Sequence, residues 1–113
     1  SIASWRGMPS SAIYSASKSA LKSAMESFAL DYLNDNIKFR IVSPGFVDTP
    51  LTQKNKFKMP FLMNVDIAGE KIFNFVTKSN KFEISFPFIF SVIMKIITFM
   101  PWRIYKLLMM KKF

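Results

Sequence analysis

The sequence predicts an α/β fold, the second half of a parallel sheet flanked by helices, and three observations support this. Apolar residues recur at helical spacing over two long stretches, and short β-branched and aromatic runs stand between and after them. The order is strand end, helix, strand, helix, strand, helix, as expected when helices cross over between parallel strands.

Ser1 to Pro9 reads as the end of a strand followed by a loop, with Gly7 and Pro9 as breakers. From Ser11 to Leu33 the pattern is helical. Leu21, Met25, Phe28 and Tyr32 recur at i, i+4, i+7 and i+11, with Ala16, Ala20 and Ala24 alongside. Ser15, Ser19, Ser23 and Ser27 form a second stripe of small residues, a face that allows close approach of another helix. Asn34-Asp35-Asn36 supplies turn formers that stop the helix. Ile37 to Ser43 fits a largely buried strand, and Pro44-Gly45 ends it.

Pro50 to Pro60 is basic, Pro-bounded and without a clear period, and reads as a loop or short helical pieces over a cleft. Val65 to Lys78 is helical again. Asp66 and Glu70 lie near its start, where the helix dipole favours negative charge. Phe82 to Phe86 alternates as a strand. Phe88 to Met100 is nearly all apolar, broken by a thin stripe of Ser91, Lys95 and Thr98. Pro101 then opens a last helix, with Trp102, Tyr105 and Leu108 on one side and Arg103 and Lys106 on another. The organisation is therefore an α/β portion over 1–87 and an apolar, basic helical tail over 88–113.

Composition narrows the chemistry. The chain has 113 residues with no Cys and no His, so thiolate chemistry, the usual triad base and the commonest metal ligands are all missing, and no metal site is expected. With 3 Gly, the chain by itself cannot build a phosphate-cradling glycine-rich loop. The net charge is +9, unevenly spread: residues 1–50 hold 5 basic and 4 acidic side chains, and residues 51–113 hold 11 and 3. A basic half rich in Phe, Ile and Met suits an anionic membrane surface, a nucleotide or a nucleic acid. Nucleic acid is disfavoured, because the basic residues are interleaved with long apolar runs and form no polar stripe.

Tyr14 and Lys18 sit at i and i+4 near the start of the first helix and so share a face. A free phenol gives up its proton only near pH 10. An ammonium a few ångströms away favours the phenolate, which brings such a phenol into acid-base use.

The surroundings of this pair carry a resemblance. A serine thirteen residues upstream (Ser1), the run Tyr14-Ser15-Ala16-Ser17-Lys18, and the strand end Ser43-Pro44-Gly45-Phe46-Val47-Asp48-Thr49-Pro50 resemble the short-chain dehydrogenase/reductase family. The match is good over the first fifty residues, and the element order continues it to about Pro87.

The resemblance implies the carboxyl-terminal half of a Rossmann-like, doubly wound parallel sheet with three α/β/α layers. It implies that Tyr14 is the general acid/base, that Lys18 holds the nicotinamide ribose and tunes the tyrosine, and that Ser1 hydrogen-bonds the substrate oxygen. Val47 and Thr49 match positions that contact the cofactor, and Pro44 and Gly45 shape the turn that lets the backbone approach it. The cofactor is NAD or NADP, the preference being undetermined.

In this family the glycine-rich turn, the NAD/NADP selector and the Asn of the proton relay lie upstream, so the chain looks like the carboxyl-terminal portion of a longer enzyme. The implied activity is NAD(P)(H)-dependent interconversion of a carbonyl and a secondary alcohol, in a cytoplasmic homo-oligomer when complete and inactive as this portion alone. Phe57, Met59, Phe61 and Met63 suggest a small apolar substrate. The competing reading is a non-catalytic element that binds a membrane surface or a protein through residues 88–113. Burial against a second subunit would account for the same tail.

Overall fold

The computed structural model describes residues 1–111; Lys112, which the sequence groups with the basic tail, and Phe113 lie outside the described residues. A 3-10 turn (Ile2–Ser4) leads into helix α1 (Ala12–Asp31) and strand β1 (Ile41–Pro44). A second 3-10 turn (Thr52–Lys54), helix α2 (Val65–Lys78) and strand β2 (Glu83–Phe86) follow, and helices α3 (Phe88–Thr98) and α4 (Trp102–Met110) complete the order.

The two strands pair in parallel, with Ile41 opposite Glu83 and Pro44 opposite Phe86. Helix α2 is the crossover between them, as a parallel pair requires. The fold is thus α/β, but two strands are too few to make a three-layer sheet. The amino-terminal segment, expected as a strand end, is instead a 3-10 turn. Among the described residues no strand pairs with β1 on its other side, so the backbone of this segment closes on itself. Ser4 and Trp5 donate their N–H groups to the carbonyls of Ser1 and Ile2 at 3.0 Å each.

Strand β1 is also shorter than the apolar run that predicts it, because Arg40 is used elsewhere. Its guanidinium donates to the carbonyls of Phe75 and Ser79 at 2.7 and 2.5 Å and lies 4.0 Å from the Phe75 ring centre. One side chain thus adds donors to carbonyls at and just beyond the carboxyl end of α2. Phe39, beside it, packs on Phe28 and Tyr32 of α1 with ring centres 5.5 and 5.6 Å apart.

The buried cluster lies between the amino-terminal turn and the tail, joining Ile2 to Phe90, Met94 and Ile97 of α3 and Tyr105 of α4. Arg6 fixes this junction. Its Nη1 donates to the carbonyls of Ile97, Thr98 and Met100 at 2.8, 3.0 and 2.6 Å, covering the end of α3, while the guanidinium stacks 4.0 Å from the Tyr105 ring centre. The Tyr105 hydroxyl donates to the Gly7 carbonyl at 2.6 Å. Tyr105 and Leu108 therefore turn inward, but Trp102, expected on the same side, is 68% exposed.

The apolar stripe of α1 does not become core. Leu21, Phe28 and Tyr32 stay largely exposed, and the one buried residue of the helix is Ser15. The first half of α1 packs closely on the amino-terminal turn, which small side chains allow, whereas its far end meets little beyond Phe39. Ser19 Oγ donates to the Ser4 carbonyl at 2.8 Å. Two stretches of the serine stripe thus differ: Ser15 and Ser19 face the turn, and Ser23 and Ser27 face outward.

Candidate active site

Tyr14 lies in the first turn of α1. The chain enters that helix through Ser10, whose φ of 60° is in the left-handed region. This bend lets α1 start abruptly after Pro9. Helical spacing then sets Lys18 one turn beyond Tyr14, with its Nζ 5.6 Å from the centre of the phenol ring. Tyr14 is 49% exposed, so its hydroxyl edge can be reached from outside. Among the described residues the ion pair present is Lys22 with Glu83, 3.6 Å apart, and Lys18 has no carboxylate partner. Its charge is left to act on the ring beneath it and on whatever binds beside it.

Ser1 is placed on the turn that packs against the same half of α1, and its Oγ accepts the Ala3 N–H at 3.2 Å. That bond uses one lone pair and leaves the hydroxyl proton free to donate.

Pro44, Gly45, Val47 and Thr49 line the carboxyl end of β1, where open α/β sheets bind their ligands. Gly45 extends the pairing by donating its N–H to the Phe86 carbonyl at 2.8 Å. No positive φ explains this glycine. A Cβ there would come within 2.8 Å of Cδ1 of Phe90, so the position must stay bare for the Phe90 ring to pack.

Beyond it the segment Phe46–Asp48 is clasped to Met63. Met63 donates to the Phe46 carbonyl at 2.9 Å, and Asp48 donates to the Met63 carbonyl at 2.8 Å. The loop between is thereby held at both ends. Phe57 and Phe61, two of the residues expected to make it apolar, pack at its base: Phe57 against Phe46 at 5.9 Å and Phe61 against Phe90 at 5.7 Å.

Thr52 organises the start of this loop, and nothing in the residue pattern singled it out. Its hydroxyl donates to the Val47 carbonyl at 2.6 Å and accepts the Thr49 N–H at 2.9 Å, while Thr49 Oγ1 accepts the Thr52 N–H at 3.3 Å. The Thr-Pro-x-Thr spacing was the available sign, since two threonines three apart can cap each other's backbone.

Glu83 was also missed. Its carboxylate accepts from Ser43 Oγ at 2.7 Å and from Trp5 Nε1 at 3.3 Å, in addition to facing Lys22. A cleft of about 250 Å³ lined by Trp5, Lys22, Glu83 and Lys95 lies at this cluster, and Tyr14 is not among its lining residues. The Tyr14 face is open by comparison.

The family model described as short chain dehydrogenase matches residues 1–59, which include Ser1, Tyr14, Lys18 and the whole Pro44–Thr49 stretch. The chain belongs to the short chain dehydrogenase family. A relative from Myxococcus xanthus, named an uncharacterized oxidoreductase, is 39% identical over 87 residues, covering 77% of this chain and 34% of the relative. A 3beta-hydroxysteroid dehydrogenase from Mediterraneibacter gnavus is 40% identical over 55 residues, 49% of this chain and 20% of that protein. The match of this short chain dehydrogenase chain thus spans 34% and 20% of the length of these relatives. No solved structure matches it.

Proposed function

We propose that the chain is the carboxyl-terminal portion of an NAD(P)(H)-dependent oxidoreductase that interconverts a carbonyl and a secondary alcohol, with its sheet completed to three layers by the rest of the enzyme. The observation that carries this reading is the Tyr14–Lys18 pair, a half-exposed phenol with an ammonium 5.6 Å from its ring centre that has no carboxylate partner among the described residues.

The residues present fit the nicotinamide-ribose end of a dinucleotide. Lys18 has free donors for ribose hydroxyls, and the backbone of Val47–Thr49 sits at the end of a parallel strand. The three glycines, Gly7, Gly45 and Gly69, are too far apart in sequence to form a phosphate turn, so this chain alone is expected to be inactive. When bound, the dinucleotide supplies or accepts the hydride.

The chain's own residues manage the proton. As the carbonyl carbon gains hydride, negative charge collects on its oxygen. Tyr14 Oη donates a proton to that oxygen, completing the alcohol, and in the reverse direction Oη takes the proton back. Lys18 stabilises the phenolate left behind and holds the ribose hydroxyls, so that one cation serves chemistry and binding. Ser1 donates a hydrogen bond to the same substrate oxygen and fixes its position. Phe57, Met59, Phe61 and Met63 form the apolar side of the loop after Thr49 and favour a small apolar substrate. The exposed apolar residues of α1, Leu21 and Phe28 among them, suit a subunit contact in a homo-oligomer.

The test is Tyr14→Phe in the complete polypeptide. The variant keeps the ring and loses the proton, so turnover should fall by about 10²–10⁴-fold with cofactor affinity nearly unchanged. A variant that keeps most of its turnover overturns the assignment.

A further inference from the structure

Helix α3 is apolar on both sides. Its buried side holds Phe90, Met94 and Ile97 together with Ser91, whose hydroxyl donates to the Pro87 carbonyl at 2.9 Å, and the half-buried Thr98 donates to the Met94 carbonyl at 2.7 Å. Its outward side carries Phe88, Ile89, Ile96 and Phe99 at 79, 60, 62 and 85% exposure. A helix that is apolar all round is stable when its outer face is also taken out of water. Lys95 stands at the margin of that face, its Nζ 5.7 Å from the Trp5 ring centre.

Helix α4 follows with a different pattern. Trp102, Ile104, Leu107 and Met110 are exposed and alternate with exposed Arg103, Lys106 and Lys111. No acidic side chain follows Glu83 in the sequence, and among the described residues the ion pair present is Lys22 with Glu83, so Arg103 and Lys106 face no carboxylate there. Among the described residues no helix is long and apolar enough to cross a membrane.

We propose that the outer face of α3 and α4 docks on an anionic lipid surface, lying in the interface and not spanning it. The charge pattern selects this occupant. A wholly apolar covering would bury Arg103 and Lys106 without counter-charges, which is costly. At a lipid interface the same basic side chains reach the headgroups while Phe99 and Leu107 enter the acyl boundary, and Trp102 sits at the headgroup level that indole rings favour. The proposal stands on this surface and not on the catalytic reading.

The experiment is co-sedimentation of the full chain with vesicles of phosphatidylcholine alone and of phosphatidylcholine mixed with phosphatidylglycerol. Pelleting is expected with the anionic vesicles and much less with the neutral ones. Arg103→Glu combined with Lys106→Glu should lower the partition by at least about tenfold. Both side chains are exposed, so circular dichroism should be unchanged. Independently of any variant, lipids brominated in the acyl chain should quench the fluorescence of the wild-type chain, and Trp102→Phe should remove that quenching.

Equal pelleting with both vesicle types overturns the proposal, as does absence of pelleting. A dimer in analytical ultracentrifugation that does not pellet, and that Phe99→Asp converts to monomer, would instead assign the face to a second copy of the chain.

Discussion

The guanidinium of Arg6 lies 4.0 Å from the centre of the Tyr105 ring while the Tyr105 hydroxyl bonds the carbonyl of Gly7, next to that arginine in sequence. The loop that leads from Ser1 to Tyr14 is thereby locked to the tail from both sides. The same Arg6 Nη1 covers three carbonyls at the end of α3.

Arg6→Met should therefore destabilise the fold by about 2–3 kcal/mol, the worth of a charge-assisted cap together with a stacked cation. Arg6→Lys should recover only a part, because an ammonium cannot reproduce the planar stack. Urea unfolding followed by circular dichroism reads both. Equal midpoints for wild type and Arg6→Met would show that the cap contributes nothing.

The pH dependence of stability should carry the signature of Tyr105. Burial raises its phenol above the ordinary value of 10.0, an effect that the Arg6 charge opposes. The folded state holds this proton more tightly than the unfolded chain does. The resulting stabilisation is complete below about pH 10 and is lost as pH rises through the raised value. Tyr105→Phe has no proton to lose, so the stability gap between wild type and variant should narrow through that window. A gap that stays constant from neutral to strongly alkaline pH would refute it.

Ser10 offers a gain. At φ 60° a side chain is strained, and glycine is not. Ser10→Gly should stabilise by up to about 1 kcal/mol after allowing for the greater freedom of glycine in the unfolded chain. A melting midpoint at or below that of the wild type would contradict this.

Lys18→Met in the complete polypeptide should lower both turnover and dinucleotide affinity, each by at least about tenfold, since one cation has two tasks. Steady-state kinetics with a cofactor titration separates them. Loss of turnover with full affinity would leave the ribose contact unsupported.

Local pattern made much of this molecule legible. The helix predicted over Val65 to Lys78 has those bounds in the structure, because Asn64 caps it, with its side chain accepting the Asp66 N–H at 2.8 Å, and the apolar period runs unbroken between. Tyr14 and Lys18 share a helix face for the same local reason.

What escaped the sequence depends on partners distant in the chain. Arg40 leaves its strand to cap a helix that ends with Lys78, and Glu83 gathers Ser43, Trp5 and Lys22 from three separate segments. Neither relation has a period or a motif. A clue was present: Arg is rare among the 16 basic residues, and the described bonds show Arg6 and Arg40 each spanning several carbonyls. The apolar stripe of α1 misled for the opposite reason, since periodicity reports which side of a helix avoids water and not whether this chain covers it.

The bonds of Arg6 and Tyr105 link positions 91 to 98 residues apart. During synthesis the loop around Arg6 and Gly7 emerges long before α4 and lacks this anchor until that helix has left the ribosome. Contacts of such long range are also the slow ones to form. A premature stop before Tyr105 would therefore injure the protein at its far end, leaving the loop beside Tyr14 loose although every residue of that loop had been made.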